Sequence, residues 1–237
     1  MIDRQRVKTI AFDADDTLWM NETIFVNSEE EIKKILHKYV PESHAFDEKL
    51  LEFERKNLRL FGYGIKGFLL SVIETCIELS EGLVTGADIQ RIIDLGKEML
   101  EHPVHILEGV EDTVRQLDDY YRMMVITKGD LFDQENKMAR SGLGELFPMV
   151  EIVSEKNTET YRALFDRNQI DPTEVLMIGN SLKSDILPVL ELGAQAVHIP
   201  FATTWALEEV SPEQLEGQQY YTAENIREVL ALLEVKH

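Results

Sequence analysis

The sequence predicts an open α/β fold on a parallel sheet, interrupted once by a module made only of helices. Three observations carry this. Short apolar runs recur along the chain, and their near-continuous hydrophobicity suits strands buried on both faces, as in a parallel sheet. Helical patterns lie between most of these runs, which is the alternation of an α/β domain. The stretch from about Asn21 to Pro103 breaks the alternation and contains helical patterns alone.

The first run, VKTIAF, ends at Asp13, and later runs fall at 123–127, 149–154, 175–179 and 196–200. Before the run at 123–127 and between those at 149–154 and 175–179, apolar residues take helical spacing. Val110, Val114, Leu117 and Tyr121 form one such stripe, and Tyr161, Leu164 and Phe165 form another after Asn157. A last helix is expected after Thr222, carrying Ile226, Val229, Leu230 and Leu233. Inside the helical stretch, Ser28 followed by Glu31 reads as a capping box, with Ile32, Ile35, Leu36 and Tyr39 on one face and Pro41 as the stop. A second helix is expected from Asp47 to about Leu60, GYGIKG at 62–67 punctuates the chain, and FLLSVIETCIEL follows. Thr85 and Asp88 mark the start of a fourth, with Ile89, Ile92, Ile93 and Leu100. The expected division is a core of 1–19 with 105–237, and a helical domain over 20–104.

Composition narrows the function. Among 237 residues, 44 are acidic and 24 basic, a formal charge of −20. Such a surface repels nucleic acid and anionic membranes, so neither is expected as a partner. An anionic substrate then needs a local positive site. The lone cysteine, Cys76, allows no internal disulfide, and no apolar stretch has the length of a membrane span. A cytoplasmic location is expected, and the oligomeric state is left open.

Parallel sheets carry their sites at the carboxyl ends of the strands. Asp13 and Asp15 follow the first run, Thr127 and Lys128 the second, Lys156 the third, and Asn180 with Asp185 the fourth. If the backbone stays extended, Asp13 and Asp15 point to one side. Two carboxylates so placed repel unless one is protonated or a cation joins them, and Mg²⁺ suits hard oxygen ligands. Asp13 can then attack phosphorus as a nucleophile, and Asp15 can exchange a proton with the leaving oxygen and with water. Thr127 offers a hydroxyl to a phosphoryl oxygen, and Lys156 a point charge. Asn180 and Asp185 stand where metal ligands, or anchors for metal-bound water, are needed. Lys128 joins the candidate substrate-binding residues, as does Lys66 in the glycine-rich turn.

In that order, FDADDTLW, VITKGD, SEKN and IGNSLKSDI resemble the four motifs of the haloacid dehalogenase-like hydrolase superfamily. The resemblance covers the α/β portion. It implies a Rossmann-like three-layer core, with Asp13 as nucleophile and Asp15 as acid/base. It also implies Mg²⁺ held by the Asp13 carboxylate, the Asp15 backbone carbonyl and the fourth motif. The helical insert resembles the small cap of that family. The expected activity is hydrolysis of a phosphoric monoester, with a small phosphorylated metabolite as substrate. The namesake dehalogenases lack the second aspartate of the first motif, which is present here as Asp15. The departure is Asn180, where phosphatases of this type commonly carry aspartate. A phosphomutase or phosphotransferase shares the same intermediate, a signalling receiver gathers similar residues on a shorter chain, and a weakened phospho-ligand binder is the reading Asn180 suggests.

Overall fold

A computed structural model of the chain describes residues 2–40 and 44–235. Two compact units emerge. One comprises Met1–Met20, Val104–Lys128 and Gln134–His237; the other comprises Asn21–Pro103 and Gly129–Asp133.

The first unit holds a six-stranded parallel sheet with a Rossmann-like α/β fold. Its strands are β1 (Thr9–Phe12), β2 (Arg122–Lys128), β3 (Met149–Val153), β4 (Val175–Gly179), β5 (Gln195–His198) and β6 (Tyr221–Thr222), in the spatial order β3-β2-β1-β4-β5-β6. Strand β1 is central, and the chain winds outward from it on either side. This is the switch-point arrangement that opens a crevice at the carboxyl ends.

Side-chain alternation explains the layers. Ile10, Phe12, Met123, Val125, Leu176 and Ile178 point to one face, where they pack with Val110, Val114, Leu117, Val229 and Leu230. Ala11, Met124, Ile126, Val175 and Met177 point to the other, against Tyr161, Leu164, Phe165 and Val189. With both faces covered, β1 and β4 are buried at every position, as their unbroken hydrophobicity requires.

The second unit contains α1 (Glu22–Leu36), α2 (His44–Phe61), α3 (Ile65–Leu79) and α4 (Gly86–Glu101). Their core is Ile32, Leu36, Phe46, Leu50, Phe68, Val72, Ile92, Leu95 and Met99. Gly62 and Gly64 have φ of +72° and +107°, a backbone region that favours glycine, so the turn between α2 and α3 is built into the sequence. Thr85 caps α4 by accepting from the Asp88 amide, as its position predicts.

Two expectations change and a third is not reached. Helix α1 begins six residues before Ser28, whose hydroxyl donates to the Ile24 carbonyl at 2.8 Å. Ser28 is therefore a mid-helix residue bonded to its own preceding turn, and the apparent capping box is incidental. The last helix is short, Glu228–Leu232, and the two-residue strand β6 precedes it. Pro41, the expected helix stop, lies outside the described residues.

Candidate active site

The carboxyl ends of β1, β4 and the segment after β3 bring three charged side chains together inside the protein. Lys156 Nζ donates to Asp13 Oδ1 at 2.5 Å and to Asp185 Oδ1 at 2.7 Å. The lysine and Asp185 side chains are each 1% exposed, and that of Asp13 is 9% exposed. Burial would push the Lys156 ammonium down, but the two carboxylates outweigh it and hold the group well above its ordinary range. Burial raises Asp13 from 3.8 to about 7; Lys156 opposes this, and the neighbouring Asp185 and Asp15 add to it. Two carboxylates thus share one ammonium, and the cluster has an excess of negative charge.

Asp185 is held on its other side as well. Its Oδ2 accepts from the Ser181 amide at 2.9 Å, and a Cβ added at Gly179 would lie 2.3 Å from that oxygen. Glycine at 179 is therefore a steric condition for seating Asp185. Replacing Gly179 with Ala should displace the carboxylate and destabilise the protein by about 1–3 kcal/mol, the usual cost of overpacking. Urea unfolding would measure this, and an unchanged midpoint would refute it.

Asp13 Oδ2 accepts from the Thr17 hydroxyl at 3.0 Å, and the Asn180 amide oxygen lies 3.5 Å from the same hydroxyl. Oxygens from the ends of β1 and β4 are thereby gathered around one point. The imidazole Nε2 of His198 sits 3.0 Å from the Asn180 carbonyl and helps fix that backbone. Near the end of β2, the Thr127 hydroxyl is buried with no hydrogen-bond partner among the described residues. A buried, unmatched donor costs roughly 1–3 kcal/mol unless something arrives to accept from it.

Asp15 does not join the Lys156 cluster by hydrogen bonding. Its Oδ1 accepts from Trp19 Nε1 at 2.7 Å and Lys137 Nζ at 2.9 Å, and its Oδ2 accepts from Gln134 Nε2 at 2.7 Å. Trp19 is buried, so this aromatic packs in the core and also carries a polar handle for Asp15.

The two other lysines singled out from sequence are engaged within the protein. Lys128 Nζ donates to Glu208 at 2.5 Å and to the Ser184 hydroxyl at 2.8 Å. Glu208 also accepts from the hydroxyls of Ser181 and Ser184. Burial opposes its ionisation, but Lys128 and the two serines prevail and lower it from the ordinary glutamate value. Lys66 pairs with both oxygens of Asp130 at 3.0 Å within the helical unit. Neither lysine stands as an unopposed positive charge.

The donor set can be weighed for a metal. Among the described residues no three His, Cys, Asp or Glu side chains converge as a ligand cluster. The candidates are instead hard oxygens: the Asp13 carboxylate, the Asn180 amide oxygen and backbone carbonyl groups. With the excess negative charge around Lys156, this fits a divalent cation such as Mg²⁺ and does not resemble a sulfur- or imidazole-rich zinc site.

A parallel sheet with a buried aspartate at the end of its first strand, and a lysine and second aspartate from later strand ends, defines a hydrolase class built around that first aspartate. The haloacid dehalogenase-like hydrolase model matches residues 7–193, so the chain belongs to that family. A haloacid dehalogenase-like family hydrolase from Xanthomonas campestris is 37% identical over 97% of this chain and 91% of its own, with a TM-score of 0.86. The HAD-hydrolase YfnB from Bacillus subtilis, solved bound to magnesium, is 17% identical over 97% of this chain and 100% of its own, with a TM-score of 0.64. An L-2-haloacid dehalogenase from Xanthobacter autotrophicus shares the fold at 14% identity, over 98% of this chain and 100% of its own, with a TM-score of 0.60. No curated protein is significantly similar to the chain. Among the described residues no helix is long and apolar enough to cross a membrane.

Proposed function

We propose that this hydrolase is a Mg²⁺-dependent phosphatase acting on a small phosphorylated metabolite. The observation that carries the reading is the buried Thr127 hydroxyl without a partner, on the strand end beside β1 and its Asp13. A phosphoryl oxygen is the acceptor that hydroxyl lacks. Lys156 offsets part of the carboxylate charge beside the nucleophile, and a bound cation would supply the remaining positive charge that an anion needs in a chain of formal charge −20. Because the fold is shared with dehalogenases, the fold does not choose the chemistry; Asp15, absent from the namesake dehalogenases, favours phosphoryl transfer.

The steps follow from the side chains. Asp13 attacks phosphorus, an Asp13 oxygen–phosphorus bond forms, and the bond to the leaving oxygen breaks as Asp15 gives that oxygen a proton. Water then attacks the aspartyl phosphate and passes a proton to Asp15, which releases phosphate and restores the Asp13 carboxylate. Lys156 stabilises the ionised nucleophile throughout, and Asp185 keeps Lys156 in place. Asp13, Asn180 and the Asp15 backbone carbonyl would hold the cation, with Asp185 acting through Lys156 and the Ser181 turn. When bound, the cation neutralises phosphoryl charge that would otherwise repel the nucleophile.

A panel of phosphorylated metabolites, assayed for phosphate release with and without Mg²⁺, tests the proposal. Release that requires Mg²⁺ supports it. Absence of phosphate release with isomerised phosphosugar as product would instead support a phosphomutase. Turnover of 2-haloacids without phosphatase activity would overturn the phosphoryl reading.

Asn180 yields a separate expectation. Asn180→Asp adds a negative charge near Asp13, so the metal-free variant should be less stable than the native protein. In excess Mg²⁺ the order should reverse, because binding stabilises whichever form binds more tightly. The Mg²⁺ concentration for half-maximal thermal stabilisation should fall several-fold. Identical Mg²⁺ titrations of the two proteins would show that residue 180 does not face the cation.

A further inference from the structure

We propose that Lys137 is a positioning residue for the acid/base step, acting through Asp15 together with Gln134. The inference rests on the phosphatase reading for its consequence in turnover, but its structural part stands on geometry alone. Helix α5 (Leu131–Ser141) follows β2, and Gln134 and Lys137 are three residues apart on it. That spacing puts both on one face of the helix. Both reach Asp15, which precedes them by 119 and 122 residues.

The contacts divide the two oxygens of Asp15 unequally. Oδ1 accepts from Lys137 at 2.9 Å and from the Trp19 indole at 2.7 Å, while among the described residues Oδ2 accepts from Gln134 alone. The Lys137 and Asp15 side chains are 14% and 22% exposed, so water screens the pair only in part. Oδ1 is committed, and Oδ2 is the oxygen left to exchange a proton with the leaving group and with water.

Gln134 is placed to serve that exchange. Its Nε2 donates to Asp15 Oδ2 and, at 3.2 Å, to the Lys128 carbonyl. Its Oε1 is buried and has no partner. The amide is therefore turned so that a donor faces the carboxylate although its own acceptor is left unmatched. When Oδ2 carries the proton, the same amide can turn Oε1 toward it. Lys137 and Trp19 hold the aspartate still while Gln134 follows its change of form.

A lysine that positions the acid/base group matters most when the leaving oxygen needs a proton, as with an alkyl phosphate. It matters least for an acyl phosphate, whose leaving group departs as an anion. Lys137→Met should lower kcat for alkyl phosphates by about 10–100-fold, a part of the 10²–10⁴ that general acid catalysis supplies. KM should change little, and acetyl phosphate turnover should fall far less. Lys137→Arg should restore most of the loss.

A second readout needs no activity. The chain has two tryptophans, so the indole N–H region of a ¹⁵N-correlated spectrum holds two signals, and Trp19→Phe identifies the one from Trp19. In Lys137→Met that signal should shift and broaden as Asp15 loses its second Oδ1 donor. An unmoved signal would overturn the positioning role. So would an equal loss of turnover on alkyl and acyl phosphates. If the native protein hydrolyses no phosphate ester, the phosphatase reading fails, and the indole signal alone then decides for or against Lys137.

Discussion

Asp13→Asn should abolish phosphate release, lowering turnover by about 10⁴-fold or more, because an amide cannot form the acyl phosphate. The variant should nevertheless be well folded, and this makes the experiment informative. Asp13 ionises near 7 in the folded protein and near 3.8 as an ordinary aspartate. Between those values the folded state binds more protons than the unfolded chain, so stability falls as pH rises through that window. Above it, the native protein bears the full penalty of a buried carboxylate beside Asp185. Asparagine does not ionise and escapes the penalty. At pH 8 without divalent cation, Asp13→Asn should therefore match or exceed the native protein in stability, by up to about 4 kcal/mol at roughly 1.4 kcal/mol per pH unit. At pH 4 the advantage should vanish. Urea midpoints at the two pH values measure this directly. Retained turnover in the variant would sink the nucleophile assignment, and a lower stability at pH 8 would contradict the electrostatics of the cluster.

The same excess charge explains why the cluster was visible in the sequence while its surroundings were not. Asp13 and Asp185 follow β1 and β4, and Thr127 lies near the end of β2, all strands buried almost throughout that announce themselves as apolar runs; Lys156 follows β3, which is only partly buried but still apolar at four of five positions. Strand order then brings their ends together without further instruction. Strand β6 gave no such signal, since both of its residues are exposed. Ser28 and Glu31 matched a capping pattern by sequence, but only the fold reveals that the hydroxyl bonds back to Ile24. Glu208 comes from an irregular segment after β5, and its bonds to Lys128, Ser181 and Ser184 join residues far apart in the chain. Gln134 and Lys137 look like ordinary polar residues of an exposed helix until the fold brings both to Asp15. Lys128 and Lys66 show the converse, since each looked like an unopposed charge in the sequence and each has a carboxylate partner in the structure. Nothing in the sequence says why residue 179 is glycine; the reason is that a Cβ there would lie 2.3 Å from the Asp185 carboxylate. Pairings over such separations leave no periodicity to read.

Lys156→Met should have the larger structural cost. Methionine has a similar length but removes the ammonium bonded to both Asp13 and Asp185. The two carboxylates would face each other in a buried site, and breaking a buried pair by removing one partner costs roughly 3–5 kcal/mol. The loss should be greatest at high pH, where both carboxylates are ionised, and should shrink as pH falls, beginning above the value of about 7 that Asp13 has in the native protein, because Lys156 no longer lowers it. Combining the change with Asp13→Asn should be less than additive, because one of the stranded charges is already gone. Lys156→Arg should not restore the protein, since a planar guanidinium does not replace a compact ammonium whose side chain is 1% exposed. Urea unfolding of the four proteins at pH 5 and pH 8 completes the double-mutant cycle. Additive costs at pH 8 would mean that Asp13 and Lys156 do not act as a unit, and the charge-sharing account of the site would fall with them.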